Sequence, residues 1–451
     1  MTMKLKTLPA ALGLLLVLHG ASAMAMDVAD AFRQALVNDP ASQASDYALA
    51  AGREKAVQGD ALLLPRVNLV AGASRIHNRQ SGEVAPPASL LMPESSSGTA
   101  RQASVQLAQP LYDRSAAANK RQMHEQSTLA QTQFTAARQG LALRVAEAYF
   151  GVLVAEETLR VVQAELNAVR HQRDRAQARF EVGQGRITDV EEAQARLDGV
   201  VTREVAAQSL LELRRAQFQE TTGVAPQHLA PLAARFVPLP PEPAALNDWQ
   251  QRGEHNNTLV LAKQSERTMA SAELAKHRLS GRPTLELVAS YGAKQQSGSL
   301  SPLVAPDGDR TGAIGLVLNV PLYAGGALDS RQRESVARLS QAEQELAAAQ
   351  RDVRLKVQEG YLAVTTGVSR IAAQEQALQS ARSALEATTR GRDVGTRTAL
   401  DVLDAQQRLF AAELDLVQGR ADYLLGRLRL AGAAGQLDED TLRGLAPWLA
   451  H

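Results

Sequence analysis

The sequence predicts an α+β fold with an internal duplication, in which long coiled-coil helical hairpins are joined to pairs of β-strands. Three observations predict it. First, no proline occurs between Pro110 and Pro226, or between Pro321 and Pro447, and both stretches are rich in Ala, Leu, Gln, Arg and Glu. Proline in a helix interior costs about 3 kcal/mol, so its absence permits helices of unusual length. Second, a shift of 212 residues superimposes Leu143, Val145, Glu147 and Tyr149 on Leu355, Val357, Glu359 and Tyr361. The same shift carries Gly183, Asp189, Val190, Ala193, Gln194 and Leu197 onto Gly395, Asp401, Val402, Ala405, Gln406 and Leu409. Third, Leu285, Leu287, Ala289, Tyr291 and Ala293 alternate with Glu286, Val288, Ser290, Gly292 and Lys294. That is the period of a strand with one apolar face.

The chain opens with Lys4 and Lys6, an apolar run from Leu8 to Leu18, and small residues at Ala21-Ser22-Ala23 and Ala23-Met24-Ala25. This is the pattern of a secretory signal, assigned to 1–25 and cleaved after Ala23 or Ala25. The run is shorter than the roughly 20 residues that span a bilayer. Loss of the two lysines moves the formal charge from +1 to −1. Such a balance offers nothing to nucleic acid. The eight histidines are scattered without metal-ligand spacing, and there is no cysteine. No metal or cofactor is expected.

Each half repeats one order: a short helix (27–38, 245–255), a second helix (41–63, 257–280), and two extended segments. Pro65 and Pro283 end the second helices. The extended segments cover 67–78 with 100–109, and 284–295 with 310–320, each pair joined by a polar loop at 79–99 and 297–309. Gln109-Pro110-Leu111-Tyr112 and Val320-Pro321-Leu322-Tyr323 lead into the rods. Seventy residues from Tyr112 make a rod of about 100 Å. Val145, Tyr149, Val152, Leu159, Val162, Leu166 and Val169 form a near-heptad seam, as do Val357, Tyr361, Val364, Val368, Ile371, Leu378 and Leu385. Gly183, Gly185 and Gly395 break the rods, and shorter helices return. Two repeats are therefore expected, at 26–222 (strand pair 67–109, hairpin 112–222) and 245–434 (strand pair 284–320, hairpin 323–434). The proline-rich 223–244 is read as an irregular linker, and 435–451 as a C-terminal segment.

Beyond the signal no apolar stretch is long enough for a membrane helix, so membrane insertion would require a closed barrel. Four strands cannot close one, since about eight are needed to fill an interior. Several chains must then share a barrel, in a number the residues leave open. Tyr112, Tyr291 and Tyr323 are candidates for its interfaces.

The Pro-Leu-Tyr junctions, the duplicated hairpins and the run Val394-Gly395-Thr396-Arg397-Thr398-Ala399-Leu400-Asp401-Val402-Leu403-Asp404-Ala405, echoed by Val182-Gly183-Gln184-Gly185-Arg186-Ile187-Thr188-Asp189-Val190, carry a resemblance. The mature chain resembles the TolC family of outer-membrane channel-tunnel proteins. The resemblance implies a homotrimer with a twelve-stranded transmembrane barrel in outer-membrane lipid and an α-helical barrel crossing the periplasm. It implies a passive export duct, not an enzyme, that docks with a periplasmic adaptor and an inner-membrane transporter (ABC or proton-driven) for type I protein secretion, efflux or both.

Asp401 and Asp404 lie three apart on one side of the returning helix. Acids there favour the helix dipole in any protein. The resemblance makes them an acidic ring at the pore entrance, which would favour cations. Thr188, Asp189 and Arg397 match positions that link neighbouring tip helices in the family. Arg392 stands where the best-known member has tyrosine, so an Arg392–Asp189 ion pair would replace a hydrogen bond. Val182, Gly183, Val394, Gly395 and Thr396 match turns that touch the adaptor. Two other classes fit less of the chain. A soluble periplasmic coiled-coil protein leaves the strands unexplained. A hydrolase using Asp401 and Asp404 lacks accompanying groups. Within the duct reading, small-molecule efflux alone is the alternative to protein secretion.

Overall fold

A computed structural model of the chain describes residues 25–79, 95–279, 282–298 and 308–450. The expected signal, Ala25 apart, and the central parts of the two polar loops lie outside the described residues. Helix α1 (Val28–Asn38) starts at a capping box in which Asp27 and Asp30 each bond the other's backbone N–H. Asp39 caps α2 (Pro40–Ala61), with Pro40 in the first turn where its missing N–H costs nothing. Strands β1 (Arg66–Arg79) and β2 (Ser95–Tyr112) follow, then α3 (Arg114–Glu181, 68 residues) and α4 (Ile187–Thr222). The second half repeats this as α5 (Leu246–Asn256), α6 (Thr258–Leu279), β3 (Thr284–Gly298), β4 (Gly308–Asn319), α7 (Ala327–Asp393) and α8 (Ala399–Ala433). A short α9 (Glu439–Arg443) and a 3₁₀ turn at Ala446–Trp448 complete the chain.

The duplication needs two offsets. Glu181 and Asp393, at the ends of α3 and α7, are 212 apart, whereas Ala61 and Leu279, at the ends of α2 and α6, are 218 apart. The six residues are lost between the strands of each pair, where 80–94 becomes the shorter 299–307. β2 is longer than the alternation indicated. Ser95–Thr99 reads as loop yet pairs along β1 from Arg79 to Arg75. The strand also runs on through Pro110, with a register shift between Pro110 and Tyr112.

The four strands form one antiparallel sheet in the order β1-β2-β3-β4, so β1 and β4 are its edges. Residues paired across strands share a face. Leu69, Val105, Tyr291 and Gly312 make one row, and Val67, Leu107, Ala289 and Ile314 the next. Leu287 with Leu316, and Tyr112 and Leu318 either side of Leu285, continue the apolar face toward the helices. The opposite face carries Asn68, Gln106, Ser290, Ser104, Gly292 and Thr311, with Arg66 3.5 Å from Glu286. The apolar residues are exposed, Ile314 at 77% and Leu69 at 73%. No helix among the described residues is long and apolar enough to cross a membrane.

The main core lies around the middle of the hairpins, not in the sheet. Val145, Tyr149, Val152, Val357, Val364 and Ile371 of the expected seams are buried there with Phe150, Phe218, Tyr423 and Leu424. The stretch between α4 and α5 is packed into this core through Ala230 and Phe236. The Tyr149 hydroxyl lies 2.8 Å from Ala230 O, and burial holds its pKa well above the usual tyrosine range. Tyr361, its repeat equivalent, donates to Ala244 O at 2.5 Å. Trp448 Nε1 donates to Val237 O at 2.8 Å, and Ala450 N to Pro231 O at 2.8 Å, so the C-terminal segment is laid along the linker.

Candidate functional site

The candidate site is the far end of the two hairpins, away from the sheet. Both turns have one backbone design. In the first, Gln184 N bonds Arg179 O at 2.8 Å and Gly183 N bonds Phe180 O at 2.9 Å. In the second, Thr396 N bonds Gly391 O at 2.8 Å and Gly395 N bonds Arg392 O at 3.0 Å. These are the paired bonds of a Schellman motif, which puts the residue after the cap in the left-handed region. Gly183 and Gly395 occupy it, with φ of 72° and 80°. Val182 and Val394, just before them, hold apolar side chains in solvent, at 68% and 76% exposure.

The helices that leave the turns begin differently. Thr398 caps α8: its hydroxyl accepts from Asp401 N at 3.1 Å, while the Asp401 carboxylate accepts from Thr398 N at 2.8 Å. The Thr398 N–H, the Thr398 hydroxyl and the nearby Arg397 charge together hold the Asp401 carboxyl below the usual carboxylate range. Arg186 caps α4 with no side-chain bond. Asp189, equivalent to Asp401, is exposed beside exposed Thr188.

Asp404 has another environment. Arg196 of α4 donates to it at 2.6 Å, tying the two hairpins together near their tips. Leu403 beside it packs with Val162, Leu166, Val169, Leu197 and Val200. Deeper in this contact Arg203 donates to buried Glu165 at 2.8 Å. Arg392 donates to Asp393, its neighbour in sequence, at 2.7 Å. Within the protomer no ion pair among the described residues joins Asp189 to Arg392 or Arg397. Arg196 escaped the sequence reading because one arginine on an amphipathic helix has the pattern of any solvated face. Its position opposite Asp404, 208 residues away, is set by the packing of α3 against α8.

Residues 31–224 and 250–436 match the family described as outer membrane efflux protein. The chain belongs to this family. One matched segment lies in each half of the chain, and the gap between them includes the start of α5. The chain is 34% identical to the outer membrane protein TolC of Vibrio cholerae over 92% of each chain. It is 30% identical to the alkaline protease secretion protein AprF of Pseudomonas aeruginosa, over 96% of this chain and 89% of that one. The crystal structure of the outer membrane protein VceC from Vibrio cholerae shares the fold, with a TM-score of 0.74 at 20% identity over 90% of this chain and 96% of that one. The chain is thus a component of an outer-membrane export channel, and its sheet carries an exposed apolar face.

Proposed function

We propose that three copies close their sheets into one twelve-stranded barrel, and that their hairpins extend it as a tunnel across the periplasm. One observation carries this reading: a four-stranded sheet with two unpartnered edges, an apolar face and a polar face. Open edges are not tolerated in lipid. From Leu285 to Ala293 the apolar face extends about 27 Å along the strand, enough for the roughly 25 Å apolar band of outer-membrane barrels. Exposed Leu355 and Leu362, seven apart on α7, and Val201 and Val205 on α4 offer helical faces to neighbouring chains. The chain has no cysteine, so L69C and L316C would report edge contacts without background. Cross-linked β1–β4 ladders that stop at three chains support the reading; monomers alone overturn it.

The duct is passive, with no catalytic step of its own. Val182, Gly183, Val394, Gly395 and Thr396 meet the hairpin of a periplasmic adaptor, and an inner-membrane transporter supplies the energy. Thr188, Asp189, Arg392 and Arg397 link neighbouring tips and hold the entrance shut. An R392S variant is expected to raise resting conductance in a planar bilayer, and unchanged conductance would remove Arg392 from the latch. The similarity to a protease secretion protein over nearly the whole chain favours a secreted polypeptide as cargo. Loss of one large protein from the culture medium when this chain is deleted tests that. An unchanged medium with dye accumulation in the cells would favour small-molecule efflux.

A further inference from the structure

At the loop end of the sheet the apolar face changes character. Beyond Leu69, Val105 and Tyr291, alanines occupy the next row at Ala71, Ala103 and Ala293. There the arginines begin. Arg310 stands opposite Ala293, Arg101 lies between Ala73 and Gln295, Arg75 opposes Thr99, and Arg79 opposes Ser95. The strict alternation of the strands puts all four on the face that carries Leu69 and Tyr291. All four are exposed. No Asp or Glu shares this zone of that face among the described residues, and the ion pair of Arg66 with Glu286 lies on the opposite face at the helix end. The polar face at the same level is balanced, since Lys294 stands opposite Asp309.

A basic belt without acids cannot serve the pore, because it faces away from it. Nor does solubility account for it, since an arginine on the lipid face destabilises a barrel except near the interfaces. The arrangement is instead two-part: an exposed apolar wall of Leu69, Val105, Tyr291 and Ile314, and directly above it guanidinium groups from three strands. Guanidinium forks bind phosphate oxygens in pairs. A free anion would use only the belt. A phosphorylated lipid would use the belt and the wall together.

We infer that Arg75, Arg79, Arg101 and Arg310 form an outward girdle that binds the phosphate groups of a phosphorylated glycolipid in the outer leaflet, with its acyl chains on the apolar wall beneath. The inference rests on the barrel reading, in which the helices lie on the periplasmic side and the strand loops on the other. Four arginines per chain place twelve around a three-chain barrel. The girdle fixes the height of the barrel in the bilayer, because its arginines lie at one end only of the apolar face.

The test uses the full-length oligomer purified in detergent, with lipid A as probe and its dephosphorylated form as control, read by native mass spectrometry. The parent is expected to bind lipid A about tenfold more tightly than the dephosphorylated lipid, and R75Q/R79Q/R101Q/R310Q to lose that preference. K294Q, on the polar face, keeps it. Equal binding of the two lipids by the parent overturns the inference without any variant. So does a quadruple variant, still assembled, that binds lipid A as the parent does, or a K294Q variant that loses as much. A parent chain that fails to assemble or to insert into vesicles strikes instead at the barrel reading.

Discussion

The two hairpin tips share a turn and differ in the residue that starts the returning helix. Gly183 and Gly395 close equivalent Schellman turns, but Arg186 leaves α4 uncapped where Thr398 caps α8. Asp401 is consequently bound to its own helix, whereas Asp189 at the same repeat position is exposed with a carboxylate to offer. Duplication supplied two copies of one tip. One has become a fixed charge, the other an available one. In the proposed duct the difference would separate a carboxylate that shapes the pore from one that latches it.

The largest effect is expected on ion selectivity. D401A/D404A should lose most of the cation preference in planar bilayers, seen as a shift of the reversal potential toward zero in a salt gradient. D404A alone should shift it less than D401A, because Arg196 already offsets the Asp404 charge at 2.6 Å. Equal shifts would show that the Arg196 bridge is not kept in the assembled pore. Next in size are the turns. G183V and G395V should each cost about 1–2 kcal/mol, since both force a side chain into the left-handed region. A marked inequality in their thermal stabilities would break the symmetry of the two turns.

The caps should differ where the turns do not. T398A should cost about 1 kcal/mol, while R186A, which removes no cap bond, should stay within about 0.5 kcal/mol. The smallest effect is in acid. Asp401 has its carboxyl pKa lowered in the folded chain, so its stabilising bond is complete above the unfolded value of 3.8. The bond is lost as pH falls through the lower folded value. Spin labels at T396C and Q184C, equivalent positions in the two turns, should show the second tip loosening in that window and the first unchanged. Loosening of both would trace the acid response to something other than the cap.

Much of this was legible in the residues. The absence of proline and the 212-residue repeat located the rods, because helix length and termination depend on local chemistry. The sheet was harder. Ser95-Ser96-Ser97-Gly98-Thr99 has loop composition, yet its backbone is paired along β1, and Gly98 and Thr99 along β3 as well. A strand held between two neighbours does not depend on its own propensity. Within the site, Asp401 and the glycine turns follow from sequence because their partners are within five residues. Arg196–Asp404 and Arg203–Glu165 do not, since only the packing of one helix against another brings them together.

The laying of 448–450 along the linker bears on which parts of the chain close the core. Leu442, Leu445, Trp448 and Leu449 are buried, and Leu232 and Leu449 form a β-bridge across the waist of the molecule. The contacts that fasten the linker come from outside both helical hairpins. Any product that ends before Trp448 leaves Phe236 and Tyr423 without the indole that packs on both. The waist is a clasp closed by residues that follow both repeats. A chain cut before Trp448 is expected to bare Phe236 and Tyr423 and to become a substrate for proteolysis at the waist.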